Sequence, residues 1–201
     1  MPARPWAFSA LRFARRPSRC RLLPAFAVLY EPCLHVVLHQ PEIPHNTGSV
    51  GRTCVAVGAK LWLVRPLGFR VDDYYLRRAG LDYWELLEWE VVDDWDALCR
   101  RLAAAVDAER MWLFTKKAAR TYADVKYARG DVLVFGCETQ GLPEALIAAH
   151  AERALRIPTR EAVRSLNLSN AAAVAMYEAI RQGLGAGDWG LGNTGLGNSD
   201  D

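Results

Sequence analysis

The sequence lacks a run of 18 apolar residues, a C-x-x-C pair and a glycine-rich phosphate loop. The first absence argues against a transmembrane helix. The five cysteines are odd in number and scattered, which disfavours a disulfide framework or a zinc site and favours a cytoplasmic protein. The four histidines show no metal-ligand spacing, so we expect no metal. Without G-x-G-x-x-G, a nicotinamide-dependent oxidoreductase is disfavoured.

The net charge is also small, since the chain of 201 residues carries only +2. Residues 1–33 hold six of the arginines and a single acid, Glu31, so the remainder is slightly negative. A nucleic-acid partner would therefore have to bind a local basic patch, since no global positive field attracts it.

Composition divides the chain into three segments. Residues 1–33 are rich in Arg and Pro, which predicts a disordered extension. A start codon assigned too early, an RNA-binding arm and a targeting segment are the alternatives. Residues 183–201 hold seven of the 15 glycines, which predicts a flexible tail. Residues 34–182 remain as one folded domain.

Strand and helix patterns alternate through this domain. Several predicted strands, such as the one containing VLVF, are continuous apolar runs, as is typical of strands buried on both faces. We therefore predict an α/β fold with a parallel sheet flanked by helices. The predicted strands are Leu34–Leu38, Lys60–Val64, Leu86–Val92, Arg110–Phe114, Asp131–Phe135 and Ala154–Ile157, and the predicted helices are Thr47–Val57, Trp95–Val106, Pro143–His150 and Leu168–Arg181.

Ligands of α/β proteins bind beyond the carboxyl ends of strands, which directs attention to four loops. In the first loop, Asn46 or Thr47 can cap the next helix, Gly48 and Gly51 allow close backbone approach, and Arg52 lies one turn into the helix. A simple capped helix with a solvated Arg52 explains this pattern equally well.

The second loop is basic and suits an anion or an RNA backbone, although a solvated loop is as plausible. Its polar residues are Thr115, Lys116, Lys117 and Arg120. In the third loop, Gly136 permits a ligand to approach the backbone, and Glu138 follows as either a site residue or a structural cap.

The fourth loop is more polar at its end than one helix cap requires. Ser165, Asn167, Ser169 and Asn170 cluster at the start of the last helix, and capping accounts for one of them. The aromatic pairs Tyr74–Tyr75 and Tyr83–Trp84 are interpreted as core or interface residues rather than as platforms for stacking bases.

Three of these segments together resemble one family. The segments NTGSVGR, FGCETQGLP and IP…SLNLSNA are similar to the three motifs of the SPOUT-superfamily RNA 2′-O-ribose methyltransferases, in the same order, and the resemblance covers residues 34–182. The segment GFRVDD…LRRAGLDYW is similar to the small single-domain branch that methylates the wobble nucleotide of tRNA.

The resemblance implies a parallel sheet with a C-terminal deep trefoil knot, S-adenosylmethionine as cofactor, tRNA as substrate and a homodimer. It implies polar active-site positions at Asn46, Arg52, Glu138 and Asn167. The implied cofactor site comprises Phe114, Thr115, Gly136, Ile157, Ser165 and Leu166. Gly51 departs from the family, in which bulkier residues are common before the arginine.

Arg52 is the residue expected to hold the phosphate beside the target ribose and to stabilise the developing alkoxide. Arg77, Arg78, Lys116, Lys117 and Arg120 are the expected phosphate contacts. A methyltransferase for ribosomal RNA or another tRNA position, and a catalytically silent RNA-binding protein on the same fold, remain as alternatives.

Overall fold

The computed structural model of the protein describes residues 32–71 and 83–183. The described strands are β1 (Leu34–His39), β2 (Lys60–Val64), β3 (Trp89–Val92), β4 (Met111–Phe114), β5 (Asp131–Phe135) and β6 (Ala154–Leu155). The described helices are α1 (Pro44–Val57), α2 (Trp95–Arg101), α3 (Ala103–Asp107), α4 (Glu144–Ala149) and α5 (Leu168–Gly183), with a 3₁₀ turn at Ala151–Arg153.

The six strands form one sheet in the order β3-β2-β1-β5-β4-β6, and every pairing is parallel. Successive residues of a strand point to opposite faces, so β1 contributes to two cores. Val36 packs in the cluster that includes Met176 of α5, and Val37 packs in the cluster that includes Leu98 of α2. The predicted parallel sheet with helices on both sides is confirmed.

The sheet order creates a crevice between the two central strands. From β1 the chain crosses to β2 on one side, and from β5 it crosses over β4 to β6 on the other. The loops after β1 and β5 therefore diverge, and such a switch point is where open α/β sheets bind ligands.

The start of α1 differs from the prediction. The helix begins at Pro44, three residues before Thr47, because proline needs no N–H partner and its fixed φ suits a first helical position. Asn46 and Thr47 lie inside the first turn, so neither is the cap; Ile43 is the N-cap residue and makes no side-chain cap bond.

Other boundaries shift for local reasons. Residues 83–86 form a turn, closed by the Leu86 amide donating to the Tyr83 carbonyl over 3.0 Å, so β3 starts at Trp89. The predicted helix over 95–106 is divided at the buried Leu102, whose φ of −110° leaves the helical range. β6 ends at Leu155, because Arg156 pairs with the loop after β4 instead.

Several predictions fall outside the described residues. They include the extension up to residue 31, the glycine-rich tail beyond residue 183, the Tyr74–Tyr75 pair, and the phosphate contacts Arg77 and Arg78. Within 32–71 and 83–183, no helix has the length and apolarity to cross a membrane. The same ranges contain no group of three or more His, Cys, Asp or Glu side chains that could hold a metal ion.

Candidate functional site

A chain of three polar side chains spans the crevice between β1 and β5. The Asn46 side-chain amide donates to Glu138 Oε1 over 2.9 Å, and its carbonyl oxygen accepts from Asn167 Nδ2 over 3.0 Å. Asn46 is buried, with 5% of its surface exposed. The structure thus brings together three of the four predicted catalytic positions, from the first turn of α1, the loop after β5 and the loop before α5.

The Glu138 carboxylate anchors the loop before α1. Its oxygens accept the backbone amides of Glu42 over 2.8 Å and of Ile43 over 3.2 Å, in addition to Asn46. These amides would otherwise be unpaired at the helix N-terminus. Both carboxylate oxygens are therefore occupied, which makes Glu138 a poor general base and a good positioning group.

Glu42, in the loop after β1, forms the corresponding hydrogen bonds with the loop after β5. Its carboxylate accepts the Thr139 amide over 3.1 Å and the Thr139 hydroxyl over 2.8 Å. The adjoining Gln40 has a φ of 54°, a left-handed conformation that is costly for a non-glycine residue. The loops after β1 and β5 are therefore fixed to each other by reciprocal hydrogen bonds.

Asn167 joins this network to the start of α5. Its side-chain oxygen accepts from the Ser169 amide over 2.9 Å, from the Ser169 hydroxyl over 2.6 Å and from the Asn170 amide over 3.4 Å. One side chain thus caps α5 with its oxygen and reaches Asn46 with its nitrogen. The cluster of polar residues at this helix start is explained partly by capping and partly by the site.

Gly136 is required by the fold for a reason other than the predicted ligand approach. A Cβ atom at this position would lie 2.0 Å from the carbonyl carbon of Gly141 and 2.2 Å from the amide nitrogen of Leu142. No side chain fits there. The space beside Gly136 is occupied by the chain itself, which turns back at Gly141 with a φ of 75°.

Arg52 lies on α1 but outside the Asn46–Glu138–Asn167 network. Its guanidinium stands over the Tyr83 ring, 4.7 Å from the centroid, and Nη2 approaches the Tyr83 hydroxyl at 3.5 Å. The side chain is exposed at the surface. Of the predicted pair Tyr83–Trp84, Trp84 packs against the core, whereas Tyr83 is 37% exposed.

The predicted cofactor positions lie on the loops that follow β4, β5 and β6. Phe114 stacks on Phe135 with ring centroids 4.6 Å apart, and the Thr115 amide donates to the Leu155 carbonyl over 2.9 Å. Ile157 packs against the core, while Ser165 and Leu166 are exposed. Because the Thr115 amide is already bonded, this residue can offer a ligand only its carbonyl or hydroxyl oxygen.

The basic loop after β4 is largely committed to its own structure. Lys117 forms an ion pair with Glu144, and this contact lowers the pKa of the Glu144 carboxyl. The Arg120 guanidinium donates to the Asp124 carbonyl over 3.1 Å and stands over the Trp112 ring. Lys116 is exposed and has no such contact within the described residues.

A buried histidine lies beside the crevice. His39, at the end of β1, is 6% exposed and meets the edge of Trp95 with centroids 6.0 Å apart. Burial lowers the pKa of His39, because the imidazolium would lose its hydration. The other acidic and basic side chains described around the site are Glu42, Glu138 and Arg52.

Two residues of this site were missed by sequence reasoning. Glu42 lies in the PEIP segment between two prolines, where its partner Thr139 is 97 residues away and no local pattern reveals the pairing. Tyr83 was noticed only as half of an aromatic pair. The neighbouring Trp84 is a possible signal for the exposure of Tyr83, because two adjacent side chains of a turn seldom both point into the same hydrophobic core.

Comparison with known proteins identifies relatives of this chain. The model of the SpoU rRNA Methylase family matches residues 33–177. A tRNA (cytidine(34)-2′-O)-methyltransferase of Burkholderia pseudomallei is 49% identical over 149 residues, which cover 74% of this chain and 94% of that protein. A tRNA (cytidine(34)-2′-O)-methyltransferase of Methylovorus glucosotrophus is 47% identical over 148 residues, which cover 73% and 94%.

Solved structures of methyltransferases are also similar to this chain. One, described as "Structural insights into the 2-OH methylation of C/U34 on tRNA", is 42% identical with a TM-score of 0.70 and covers 76% of this chain and 97% of that chain. A SpoU methyltransferase from Streptomyces viridochromogenes in complex with AdoMet is 26% identical with a TM-score of 0.65, covering 76% of this chain and 58% of that one.

Proposed function

The chain belongs to the SpoU rRNA methylase family, and from this premise we propose that it transfers a methyl group from S-adenosylmethionine to the ribose 2′-hydroxyl of the wobble nucleotide, cytidine or uridine 34, of tRNA. The Asn46–Glu138–Asn167 chain at the switch point is the observation that carries the proposal. Relatives at 47–49% identity that are named tRNA (cytidine(34)-2′-O)-methyltransferases support the substrate.

The loops after β4, β5 and β6 fit S-adenosylmethionine. An adenine slot requires apolar walls with main-chain groups between them. The loop that ends at Asn167 exposes two large apolar side chains, Val163 at 47% and Leu166 at 37%. The residues that would hold the cofactor are Phe114, Thr115, Gly136, Ile157, Ser165 and Leu166, with Gly136 shaping the loop rather than contacting the ligand.

When bound, S-adenosylmethionine supplies an electrophilic methyl group on a positively charged sulfur. The protein has to orient the ribose and help its hydroxyl lose a proton. Arg52 binds the phosphate next to the target ribose and stabilises the negative charge that grows on the 2′ oxygen. A guanidinium resists deprotonation, so the proton leaves to a phosphate oxygen or to water near Arg52. Asn46, Glu138 and Asn167 hold the loops that frame this reaction.

RNA contacts outside the reacting nucleotide come from exposed cations. Lys116 is free to bind a phosphate, whereas Lys117 and Arg120 contribute only if RNA displaces their partners Glu144 and Asp124. Arg77 and Arg78, which lie outside the described residues, are proposed as further phosphate contacts. Each phosphate contact removed should reduce the slope of log affinity against log salt by about 1.

We also propose that the C-terminal part of the domain forms a deep trefoil knot. The loop after β4 contacts the chain on both sides of residues 157–167. Its Tyr122 amide donates to the Arg156 carbonyl over 2.9 Å, and its Tyr127 amide donates to the Gln182 side chain over 3.2 Å. This pattern supports threading of the C-terminal segment through that loop.

A homodimer is proposed through α5. Val174 and Tyr177 lie three positions apart on this helix and are 38% and 54% exposed, so they form an apolar strip at the surface of the described part of the chain. Changing both residues to Glu should halve the molar mass measured by light scattering. A cytoplasmic location suits a tRNA substrate and the free thiols Cys33, Cys54, Cys99 and Cys137.

The test uses bulk tRNA and, in a parallel reaction, ribosomal RNA from a strain that lacks its own wobble methyltransferase, together with radiolabelled S-adenosylmethionine. Nuclease digestion and mass spectrometry should locate a 2′-O-methylated pyrimidine at position 34. Label in ribosomal RNA but not in tRNA would overturn the substrate, and label in neither RNA would overturn the activity. Cofactor binding, measured separately by calorimetry, distinguishes an inactive enzyme from an RNA-binding protein without the cofactor.

A further inference from the structure

Arg52 and Tyr83 form a cation–π pair at the edge of the candidate site. The Arg52 guanidinium lies 4.7 Å from the centroid of the Tyr83 ring, and the side-chain hydroxyl of Tyr83 is 3.5 Å from Nη2. Tyr83 lies 31 residues after Arg52 and belongs to the turn before β3. The pair is therefore a tertiary contact between α1 and the turn before β3.

Stacking determines which part of the guanidinium remains available. A guanidinium over a ring uses its flat face for the cation–π contact, while its N–H groups point outward in the plane. Those N–H groups form the fork that binds a phosphate in bidentate geometry. Tyr83 thus restrains a long, exposed side chain through its ring and its hydroxyl, and the N–H groups of Arg52 other than the one facing that hydroxyl remain for an RNA phosphate.

The ring itself is held against α1 by its neighbours. Trp84 packs on Trp89 with centroids 5.2 Å apart and covers Gly51, where a Cβ atom would lie 3.1 Å from Trp84 Cζ3 and 2.9 Å from Leu87 Cδ2. The Leu87 amide donates to the Trp84 carbonyl over 3.3 Å, which closes the turn. The absence of a side chain at position 51 therefore lets this turn sit directly beside Arg52.

We propose that Tyr83 is a positioning residue for Arg52, and that the contact of Trp84 with Gly51 sets the place of the Tyr83 ring. The inference rests on the proposed function, because it assigns Tyr83 a part in the same reaction. It also explains why glycine precedes Arg52 in this chain. A larger residue at position 51 would displace Trp84 and, with it, the ring on which Arg52 lies.

The test compares Tyr83→Leu with Tyr83→Phe in single-turnover methylation of tRNA at saturating enzyme. Tyr83→Leu keeps apolar bulk but removes the aromatic face, and we expect the rate of methyl transfer to fall about tenfold. Tyr83→Phe keeps the face and should remain within about twofold of the wild type. Leu86→Ala, in the same turn and 71% exposed, is the matched control and should leave the rate unchanged.

A double-mutant cycle separates positioning from general damage to the fold. In the Arg52→Ala background, Tyr83→Leu should cause no further loss, since the ring has no guanidinium left to position. The same tenfold loss in both backgrounds would overturn the inference, as would a Tyr83→Leu enzyme as fast as the wild type. Failure of the wild type to methylate any RNA is a different result, and it would overturn the proposed function and this inference together.

Discussion

At the residue scale, the proposed chemistry depends on one cation and a small set of neutral and acidic side chains that hold the loops around it. Arg52 is exposed and stacked on Tyr83, so it can meet an RNA phosphate without breaking a buried contact. Asn46, in contrast, is buried and bonded on both sides. Substitution of Arg52 should therefore lower the rate of methyl transfer, and substitution of Asn46 should lower the stability of the fold.

Replacing Arg52 should affect turnover rather than folding. Arg52→Ala is expected to lower the rate of methyl transfer by about 10²- to 10³-fold, the usual loss when one group that stabilises transition-state charge is removed. Affinity for S-adenosylmethionine, measured by calorimetry, should stay within twofold. Arg100→Ala, at an exposed position of α2, is the control. Loss of cofactor affinity in a folded Arg52→Ala enzyme would refute the assignment.

Replacing Asn46 should affect the fold. Asn46→Asp removes the amide that donates to Glu138 and places a second carboxylate beside it. We expect the free energy of unfolding to fall by about 2 to 3 kcal/mol, because the half-buried Glu138 carboxylate loses a donor and like charges meet. Urea denaturation measures this change. Asn170→Asp, the same chemical change at an exposed position, should cost under about 0.5 kcal/mol; equal losses would argue against the network.

The sequence predicted Asn46, Glu138 and Asn167 as site residues because they follow strand ends and match a family pattern, and the structure brings their side chains into one hydrogen-bonded network. The sequence did not identify their partners in space. The Glu42–Thr139 pair joins two loops that are 97 residues apart, and the pairing depends on the order of β1 and β5 in the sheet. Such contacts become visible only when the topology is known.

At the element scale, strands were predicted better than helix ends. The bounds of β2 and β5 matched the prediction, because in each strand one charged residue, Lys60 or Asp131, is followed by four apolar residues that are buried on both faces of the sheet. The predicted start of α1 was wrong because Asn46 and Thr47 are residue types that often cap helices. The amides at that end are satisfied instead by Glu138 from a distant loop, which no local signal predicts.

The turn after β5 provides a strong test of this packing. Gly136→Ala should destabilise the protein by at least about 4 kcal/mol, because its Cβ would lie 2.0 Å from backbone that cannot move independently. Gly130→Ala should cost only about 1 kcal/mol, since a Cβ there meets nothing within 4 Å and suffers only from the φ of 80°. Denaturant unfolding compares the two variants, and similar losses would contradict the close approach of Gly136 to Gly141.

The first strand should make stability sensitive to pH. His35 Nδ1 accepts a hydrogen bond from Trp62 Nε1 over 3.1 Å, and burial, with a contribution from Lys60, lowers the pKa of His35 from its usual 6.5. The unfolded chain then binds the proton more tightly than the folded one. The free energy of unfolding should therefore decrease as the pH falls through 6.5 and below.

His35→Gln keeps an acceptor for Trp62 but cannot titrate. Its free energy of unfolding should change less between about pH 7.5 and about pH 5.5 than that of the wild type, as measured by urea denaturation. An unchanged pH dependence in His35→Gln would show that His35 is not the group responsible.

At the scale of the whole molecule, the order of the strands explains where the site lies. The crevice between β1 and β5 exists because the chain leaves these neighbours in opposite directions, and α1 and α5 pack together above one face. Sequence patterns predicted a parallel sheet but not this order. The order depends on long-range pairing, which a single sequence does not encode in any local period.

The claim that the protein methylates the wobble ribose is tested most directly by removing the acceptor atom. A tRNA substrate for the enzyme is assembled with a 2′-deoxynucleotide at position 34, and a second with a 2′-deoxynucleotide at position 35 serves as the control. Incorporation of label from S-adenosylmethionine should be abolished in the first and retained in the second. Undiminished incorporation into the 34-deoxy tRNA would place the methyl group elsewhere and contradict the proposed function.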